Sequence, residues 1–276
     1  MRRLLGVTVA LTPLVVGVAS APAPAQTLPG PEAKAWAAKL ARLGPRPAGG
    51  LNERRAGEIV RERLAALGYS VRIQRFTIPN GRTSRNVVGR TDGPVRVIIV
   101  AHMDSVLGTS AANDNASGVG VLLTVAKRLV GKDGVLVAAL GAEERMYTGS
   151  SWHLGSRRLT RWFTPAQKAG VRLALSVDMV GYGPTLNIRG LESSPNRSAR
   201  RLLNAARARG IRASYLRDTG QSDHDDLTRT GIAAAWIEWR WDPCWHRPCD
   251  RISRLRPYKL GSAARVVLGA ARSVVG

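Results

Sequence analysis

Residues 95–104 read VRVIIVAHMD, a largely apolar run of strand length that ends at two polar side chains, His102 and Asp104. Runs that are apolar on both faces are typical of central strands in a parallel sheet covered by helices. We therefore predict a central strand at residues 95–101. Three further runs share this pattern: residues 135–140, 173–177 and 232–237.

Helical patterns lie between these strands, clearest at residues 116–129 and 198–209, and a last one spans residues 257–275. Strands that alternate with helices indicate an α/β fold. Upstream, residues 69–78 alternate in hydropathy, and a Pro-Asn-Gly turn separates them from a second strand at residues 84–89. The sequence therefore predicts an α/β three-layer sandwich with a mixed, largely parallel central sheet. Two helices are expected before these strands, at residues 32–43 and 51–67.

The length and composition are those of one folded unit. The chain has 276 residues, of which 44% are hydrophobic and 22% are charged, as in ordinary globular proteins. Its two cysteines cannot supply a disulfide framework or a four-sulfur zinc site. Burial of apolar side chains must therefore hold the fold together.

Residues 1–25 have the layout of a secretory signal peptide. Arg2 and Arg3 precede an apolar run at residues 4–18, and an Ala-Pro repeat follows. We expect cleavage between residues 20 and 26, which leaves residues 26–276 as a single domain outside the cell. The alternative is an uncleaved membrane anchor, which is disfavoured because Pro13 interrupts the run and the run is short for a span.

The chain is strongly basic, with 42 Lys and Arg against 19 Asp and Glu, a net charge of +23. Removal of Arg2 and Arg3 with the leader lowers this charge to 23 − 2 = +21. Nucleic-acid binders concentrate positive charge on one element, whereas here arginines are spread over several predicted helices. We therefore interpret the charge as a solvated cationic surface without a nucleic-acid function. Attraction to anionic cell-surface polymers is an alternative role for this charge.

Acidic and imidazole side chains follow the ends of the four predicted central strands. His102 and Asp104 follow the first, and Asp178 and His246 follow the third and fourth. Because ligands bind outside the carboxyl ends of strands in open α/β sheets, we expect these side chains to converge in one crevice. Three further carboxylates join this set: Glu143 and Glu144 after the second strand, and Asp114 at the start of a helix.

So many carboxylates and imidazoles would repel one another and lose hydration unless a cation lay between them. A pair of metal ions resolves this conflict. Nitrogen and carboxylate ligands without thiolate suit zinc, with manganese and cobalt as competitors. A carboxylate that bridges two ions makes a two-metal hydrolytic site.

Six ordered motifs between residues 95 and 250 resemble those of the secreted bacterial dizinc aminopeptidases. They are His102-Met103-Asp104-Ser105, Asn113-Asp114-Asn115-Ala116-Ser117-Gly118, Gly141-Ala142-Glu143-Glu144, Val177-Asp178-Met179, Ser222-Asp223-His224 and Trp245-His246.

The resemblance implies a role for each of these positions. Asp114 bridges two zinc ions, and Glu143 is the general base beside them. Two pairs of ligands complete the two sites: His102 with Asp178, and Glu144 with His246. From its spacing, Asp104 is expected to accept the second hydrogen of the His102 imidazole and so fix its tautomer.

Other residues near these motifs have less defined roles. His153 lacks a motif context and is interpreted as structural, while His224 lies either at a functional position or in a pocket wall. Cys244 and Cys249 flank His246, which in an exported chain favours a local disulfide over free thiols or thiolate ligation. Asp250 follows directly and is a candidate support for His246. Two residues depart from the family pattern. Met146 stands where glycine is common, and Trp245 stands where a tyrosine often helps to stabilise the tetrahedral intermediate.

The resemblance implies a secreted zinc exopeptidase, an aminopeptidase acting on peptides with two zinc ions as cofactors, and we expect a monomer. One alternative is an acyltransferase of the glutaminyl cyclase type, which uses a single zinc. A second is a non-enzymatic cationic binding protein on the same fold. The chain contains neither a Gly-x-Ser-x-Gly elbow nor a P-loop, which argues against a serine hydrolase and against a P-loop nucleotide enzyme.

Overall fold

A computed structural model describes residues 29–149 and 152–276 of the chain. The predicted signal peptide, residues 1–25, lies outside these ranges. Within them, no helix combines the length and apolar character needed to cross a membrane.

The core of the protein is one mixed eight-stranded sheet in the order β1-β2-β4-β3-β5-β8-β6-β7. Pairing is parallel from β4 through β3 and β5 to β8, and β6 is parallel to β7. The other neighbours are antiparallel. The strands are β1 (Ser70–Thr77), β2 (Thr83–Arg90), β3 (Val97–His102), β4 (Val135–Leu140), β5 (Leu173–Val177), β6 (Thr185–Gly190), β7 (Ser214–Arg217) and β8 (Ala234–Arg240).

Helices cover both faces of this sheet, since residues of its central strands alternate between two apolar clusters. One face packs against α1, α2, α3, α7 and α9, and the other against α5 and α8. The three-layer α/β prediction is therefore confirmed. The helices are α1 (Pro29–Ala41), α2 (Leu51–Ala66), α3 (Gly118–Arg128), α4 (Arg145–Thr148), α5 (Leu154–Thr160), α6 (Pro165–Gly170), α7 (Arg197–Arg207), α8 (His224–Arg229) and α9 (Pro257–Val275).

The prediction of a helix at residues 116–129 needs a correction at its start. Residues 112–117 form a distorted helical turn with non-helical backbone at Asp114 and Asn115, and the regular helix begins at Gly118. A Cβ on Gly118 would lie 2.1 Å from the backbone oxygen of Val177. Glycine therefore lets the helix start approach the end of β5 closely, which brings Asp114 to the edge of the sheet.

The four parallel strands β4, β3, β5 and β8 are adjacent, so their carboxyl ends lie along one edge of the sheet. Two of the predicted strands have the expected bounds, at residues 135–140 and 173–177. Two strands went unpredicted, β6 and β7, as did the short helices α4, α5, α6 and α8. None of these supplies one of the five predicted metal ligands.

Candidate active site

The structure brings all five predicted metal ligands together at the carboxyl edge of the parallel strands. His102 is the last residue of β3, and Asp178 directly follows β5. Glu144 lies four residues beyond the end of β4, and His246 lies in the loop after β8. Asp114 reaches them from the distorted turn before α3. Strand topology therefore assembles a cluster from residues up to 144 positions apart (246 − 102).

Asp114 lies at the centre of this cluster, between the two imidazoles. Its Oδ1 is 3.2 Å from Nε2 of His102, and its Oδ2 is 3.1 Å from Nε2 of His246. On the far side, Nε2 of His102 lies 3.5 Å from Oδ1 of Asp178. Nε2 of His246 lies 3.1 Å from Oε2 of Glu144. Each imidazole thus faces Asp114 and one further carboxylate.

These separations suit zinc. A zinc ion held tetrahedrally at about 2.1 Å from nitrogen and oxygen ligands separates the ligand atoms by roughly 3.4 Å. Two buried oxygens of the cluster, Oε1 of Glu144 and Oδ1 of Asp178, also have no hydrogen-bond partner among the described residues. Unpartnered buried carboxylate oxygens are costly unless a cation neutralises them. The donor set therefore fits metal ions on both sides of Asp114.

The same electrostatic conflict appears in the pKa values of the cluster. Burial lowers the pKa of both imidazoles, but nearby carboxylates outweigh it. They hold the pKa of His102 well above its usual value and raise the pKa of His246 to about 10. Burial raises the pKa of Glu143 and of Glu144 to about 8. Protons thus supply positive charge in the metal-free protein, and metal binding must displace them.

Glu143 occupies a position next to the ligands. One of its oxygens shares a cluster within 4.8 Å with ligand atoms of His102 and Asp178. Oε1 of Glu143 lies 3.3 Å from Nε2 of His153, a buried residue interpreted as structural from the sequence. No motif surrounds His153, so this contact had no sequence signal.

Asp104 supports the loop that carries Glu143 and Glu144. Its carboxylate accepts hydrogen bonds from the backbone N–H of Glu143, at 3.1 and 3.2 Å, and of Glu144, at 3.2 Å. Nδ1 of His102 lies 3.6 Å from Oδ1 of Asp104 and 3.3 Å from its backbone oxygen. The side chain thus faces the imidazole as expected, but its hydrogen bonds go to the loop after β4, a role that the sequence analysis missed.

Asp250 holds the segment that carries Asp114. Its two carboxylate oxygens accept hydrogen bonds from the backbone N–H of Asn113, at 2.7 Å, and of Asp114, at 3.0 Å. Asp250 was expected to support His246; in the structure its carboxylate instead holds the backbone that carries Asp114. A disulfide between Cys244 and Cys249 closes the loop that carries His246, and Asp250 directly follows this loop.

The loop after β3 is fixed by Arg46, which lies far upstream in sequence. The guanidinium of Arg46 is fully buried and donates to the backbone oxygens of Met103, at 2.9 Å, Ser110, at 2.9 Å, and Ala111, at 3.0 Å. Burial lowers the pKa of Arg46 to about 10, and the nearby carboxylates oppose that shift. Arg46 thus links the residue that follows His102 to the residues shortly before Asp114.

The serine and aspartate of the Ser222-Asp223-His224 motif lie beside the cluster. Ser222 donates a 2.8 Å hydrogen bond to Oδ2 of Asp178. Asp223 is fully buried, and neither of its carboxylate oxygens makes a hydrogen bond within the described ranges. The Nε2 of His224 points away to Asp218 at 3.0 Å. Trp245 stacks on His246, with ring centroids 4.3 Å apart, and is 54% exposed.

Two curated proteins share part of this sequence. Aminopeptidase YwaD of Bacillus subtilis (strain 168) is 28% identical over 227 residues, which cover 75% of this chain and 47% of that protein. Leupeptin-inactivating enzyme 1 of Streptomyces exfoliatus is 26% identical over 86% of this chain and 60% of its own length. The chain thus spans about half to three fifths of the length of these curated relatives.

Solved structures share the fold. BSAP, a zinc aminopeptidase from Bacillus subtilis, superimposes with a TM-score of 0.83 at 18% identity, covering 90% of this chain and 95% of that one. Porphyromonas gingivalis glutaminyl cyclase superimposes with a TM-score of 0.76 at 23% identity, covering 89% and 98%. The family model of peptidase family M28 matches residues 86–271, which include all five predicted ligands and Glu143. The chain belongs to peptidase family M28.

Proposed function

We propose that this protein is a zinc-dependent aminopeptidase that removes residues from free peptide N-termini. The observation that carries the proposal is the position of Asp114, whose two oxygens each face a different imidazole. Relatives named as aminopeptidases support it.

Two zinc ions would be held on the two sides of Asp114. His102 and Asp178 complete one site, and Glu144 and His246 complete the other. When bound, zinc supplies a Lewis acid that polarises the scissile carbonyl and lowers the pKa of water. Two observations support this assignment: the 3.1–3.5 Å ligand separations, and two buried carboxylate oxygens that make no hydrogen bond among the described residues.

Glu143 is the proposed general base. It lies beside the ligands and directly follows the small residues Gly141 and Ala142. Its backbone N–H donates a hydrogen bond to the carboxylate of Asp104. In the proposed reaction its carboxylate takes a proton from the attacking water and then returns it to the leaving amine. Oε1 faces Nε2 of His153 at 3.3 Å, and the proposed reaction uses the other oxygen for the proton.

The charges of the site favour a substrate ammonium over a substrate carboxylate. The carboxyl groups of Glu143 and of the proposed ligand Asp178 lie within 4.8 Å of each other, and Oδ1 of Asp178 makes no hydrogen bond among the described residues. Among the described arginines, Arg46 and Arg189 are the buried ones. Arg46 bonds to backbone oxygens, and Arg189 contacts Asp218 and Glu238 at 3.0 and 3.1 Å. Neither buried guanidinium is left to bind the carboxylate that a carboxypeptidase recognises.

Matched substrates test this proposal. The zinc-loaded protein should hydrolyse leucyl or aromatic amides that have a free amino group, and it should leave the N-acetyl counterparts intact. Equal turnover of both forms, or cleavage restricted to peptides with a free carboxylate, would refute the aminopeptidase assignment. Ammonia release from peptides with N-terminal glutamine, without hydrolysis, would instead favour the glutaminyl cyclase alternative that the P. gingivalis structure raises.

We also propose that the protein is exported through residues 1–25 and works as a monomer. The leader pattern and the disulfide in the His246 loop support export, since disulfides persist in oxidising compartments. The net charge of +21 after cleavage favours contact with anionic polymers outside the cell. Edman sequencing of protein recovered from culture medium tests the first point, because the N-terminus should lie between residues 20 and 27.

A further inference from the structure

His153 contacts Glu143 through both its backbone and its side chain. The backbone N–H of His153 donates to the backbone oxygen of Glu143 at 3.2 Å. The next N–H, of Leu154, donates to the oxygen of Ala142 at 3.0 Å. Nε2 of the same histidine lies 3.3 Å from Oε1 of Glu143. One residue therefore faces both the main chain and the carboxylate of the proposed general base.

The conformation of His153 is specialised for this contact. Its φ is +52°, in the left-handed region that residues other than glycine seldom adopt. The residue immediately precedes α5, and its backbone oxygen accepts hydrogen bonds from Ser156 Oγ, at 2.8 Å, and from the N–H of Arg157, at 3.1 Å. The Trp152 and His153 rings pack nearly perpendicular to each other, at 89°, with centroids 5.7 Å apart. These contacts fix the imidazole, which is 2% exposed.

A second buried carboxylate, Asp223, interacts electrostatically with both Glu143 and His153. Asp223 is fully buried and makes no hydrogen bond through its carboxylate within the described ranges. Burial raises the pKa of Asp223 to about 8; the charge of Glu143 adds to this rise, and His153 opposes it. Without His153, the two carboxyl groups would lose one of the positive groups that oppose their repulsion. An apolar side chain could fill the space of the imidazole but could not relieve this repulsion.

We propose that His153 is a positioning residue that donates its Nε2–H to Oε1 of Glu143 and thereby orients the carboxylate toward the attacking water. The donated hydrogen bond occupies one oxygen and fixes the plane of the carboxylate. The other oxygen then meets the water, and later the leaving amine, in a constant geometry. A misplaced catalytic group can cost about 10²-fold in rate, which sets the scale of the effect. This inference rests on the proposed function, because it assigns a task within that reaction.

Two substitutions separate positioning from packing. His153→Phe keeps a ring but removes the donor, and His153→Gln restores an N–H donor. We expect His153→Phe to lower kcat by about 10- to 100-fold with KM within about 2-fold of the wild type. His153→Gln should recover most of the lost kcat. The zinc content of both variants should equal that of the wild type, since His153 contacts no proposed ligand. His153→Leu serves as a second donor-free variant if the phenylalanine does not fold.

A double-mutant cycle with Glu143→Gln gives the sharpest test. Because His153 acts through Glu143, adding His153→Phe to Glu143→Gln should leave the residual kcat unchanged within about 2-fold. A role in folding alone would lower the residual kcat again, or lower the melting temperature of all His153 variants equally. Either result, or a His153→Phe enzyme with wild-type kcat, would overturn the inference.

Nitrogen NMR provides a readout that does not depend on activity. The ¹⁵N spectrum of the zinc-loaded protein, assigned by comparison with His153→Phe, should show a proton on Nε2 of His153. A proton on Nδ1 alone would overturn the inference, because Nε2 could then not donate. A wild-type protein that cleaves no peptide with a free N-terminus would refute the proposed function instead, and the nitrogen spectrum would still decide the contact.

Discussion

Replacement of Asp250 should both destabilise the protein and weaken metal binding. The carboxylate of Asp250 is 1% exposed, and its two oxygens accept the N–H groups of Asn113 and Asp114. Asp250→Ala leaves two buried N–H groups without an acceptor, each at a cost of about 1–3 kcal/mol. We therefore expect the free energy of unfolding to fall by about 2–6 kcal/mol. Asp250→Asn keeps one acceptor oxygen and should lose roughly half as much.

Zinc affinity should fall with the stability, because Asp250 orients the backbone of the central ligand Asp114. Loss of residues that orient a ligand typically lowers metal affinity by about 10- to 100-fold. Urea unfolding of the metal-free protein measures the first effect, and zinc titration against a competing chelator measures the second. Ser110→Ala is a matched control, since Ser110 Oγ donates to the backbone oxygen of Asp250 at 2.7 Å and leaves the carboxylate untouched. The control should lose only about 0.5–1.5 kcal/mol.

An Asp250→Ala protein that matches Ser110→Ala in stability, and that binds zinc as tightly as the wild type, would refute this reasoning. The two backbone N–H groups would then have found other acceptors, and the position of Asp114 would depend on the surrounding turn alone.

Three further predictions test the site and the fold. Glu143→Gln should retain both zinc ions and lower kcat by about 10²–10⁴, while Glu144→Gln should weaken the binding of one of the two ions; elemental analysis with steady-state kinetics checks this, and the reverse pattern would exchange the two roles. Burial raises the pKa of Glu53 to about 8 in the folded protein, so its contribution to stability is complete below the unfolded value of 4.5 and is lost as the pH rises toward 8. The free energy of unfolding of metal-free Glu53→Gln, minus that of the metal-free wild type, should therefore increase by about 2–3 kcal/mol between pH 5.5 and 7.5, as measured by urea unfolding. A difference that does not change with pH would contradict the raised pKa of Glu53. Intact mass before and after reduction and alkylation should show that Cys244 and Cys249 are bridged in exported protein, and two thiols that react without reduction would contradict it.

The parallel half of the fold is predictable because its strands are buried on both faces. The runs at residues 135–140 and 173–177 are wholly buried, and their apolar pattern has no competing signal. In contrast, β6 buries Asn187 and Arg189, and Arg189 is neutralised by Glu238 on the neighbouring strand and by Asp218. A buried ion pair interrupts the apolar pattern that identifies a strand, so β6 could not be found by hydropathy.

The ligands of the site could be predicted because strand topology places them at one edge. The residues that hold them could not, since their contacts join distant segments. Asp250 bonds to backbone groups 137 and 136 residues away, and Arg46 bonds to a backbone oxygen 57 residues away. Backbone acceptors and donors leave no side-chain pattern in the sequence. His153 had no motif either, and its contacts with the backbone of Glu143 depend on hydrogen bonds that leave no hydropathy pattern.

The central claim is that Asp114 is shared by two zinc ions, and native mass spectrometry of metal-free protein titrated with zinc tests it most directly. The wild type should take up two zinc ions per chain and no more at stoichiometric addition. Glu144→Gln should keep one tightly bound ion, whereas Asp114→Asn should weaken the binding of both. Saturation of the wild type at one ion, or an Asp114→Asn protein that still binds two, would contradict the shared-carboxylate centre.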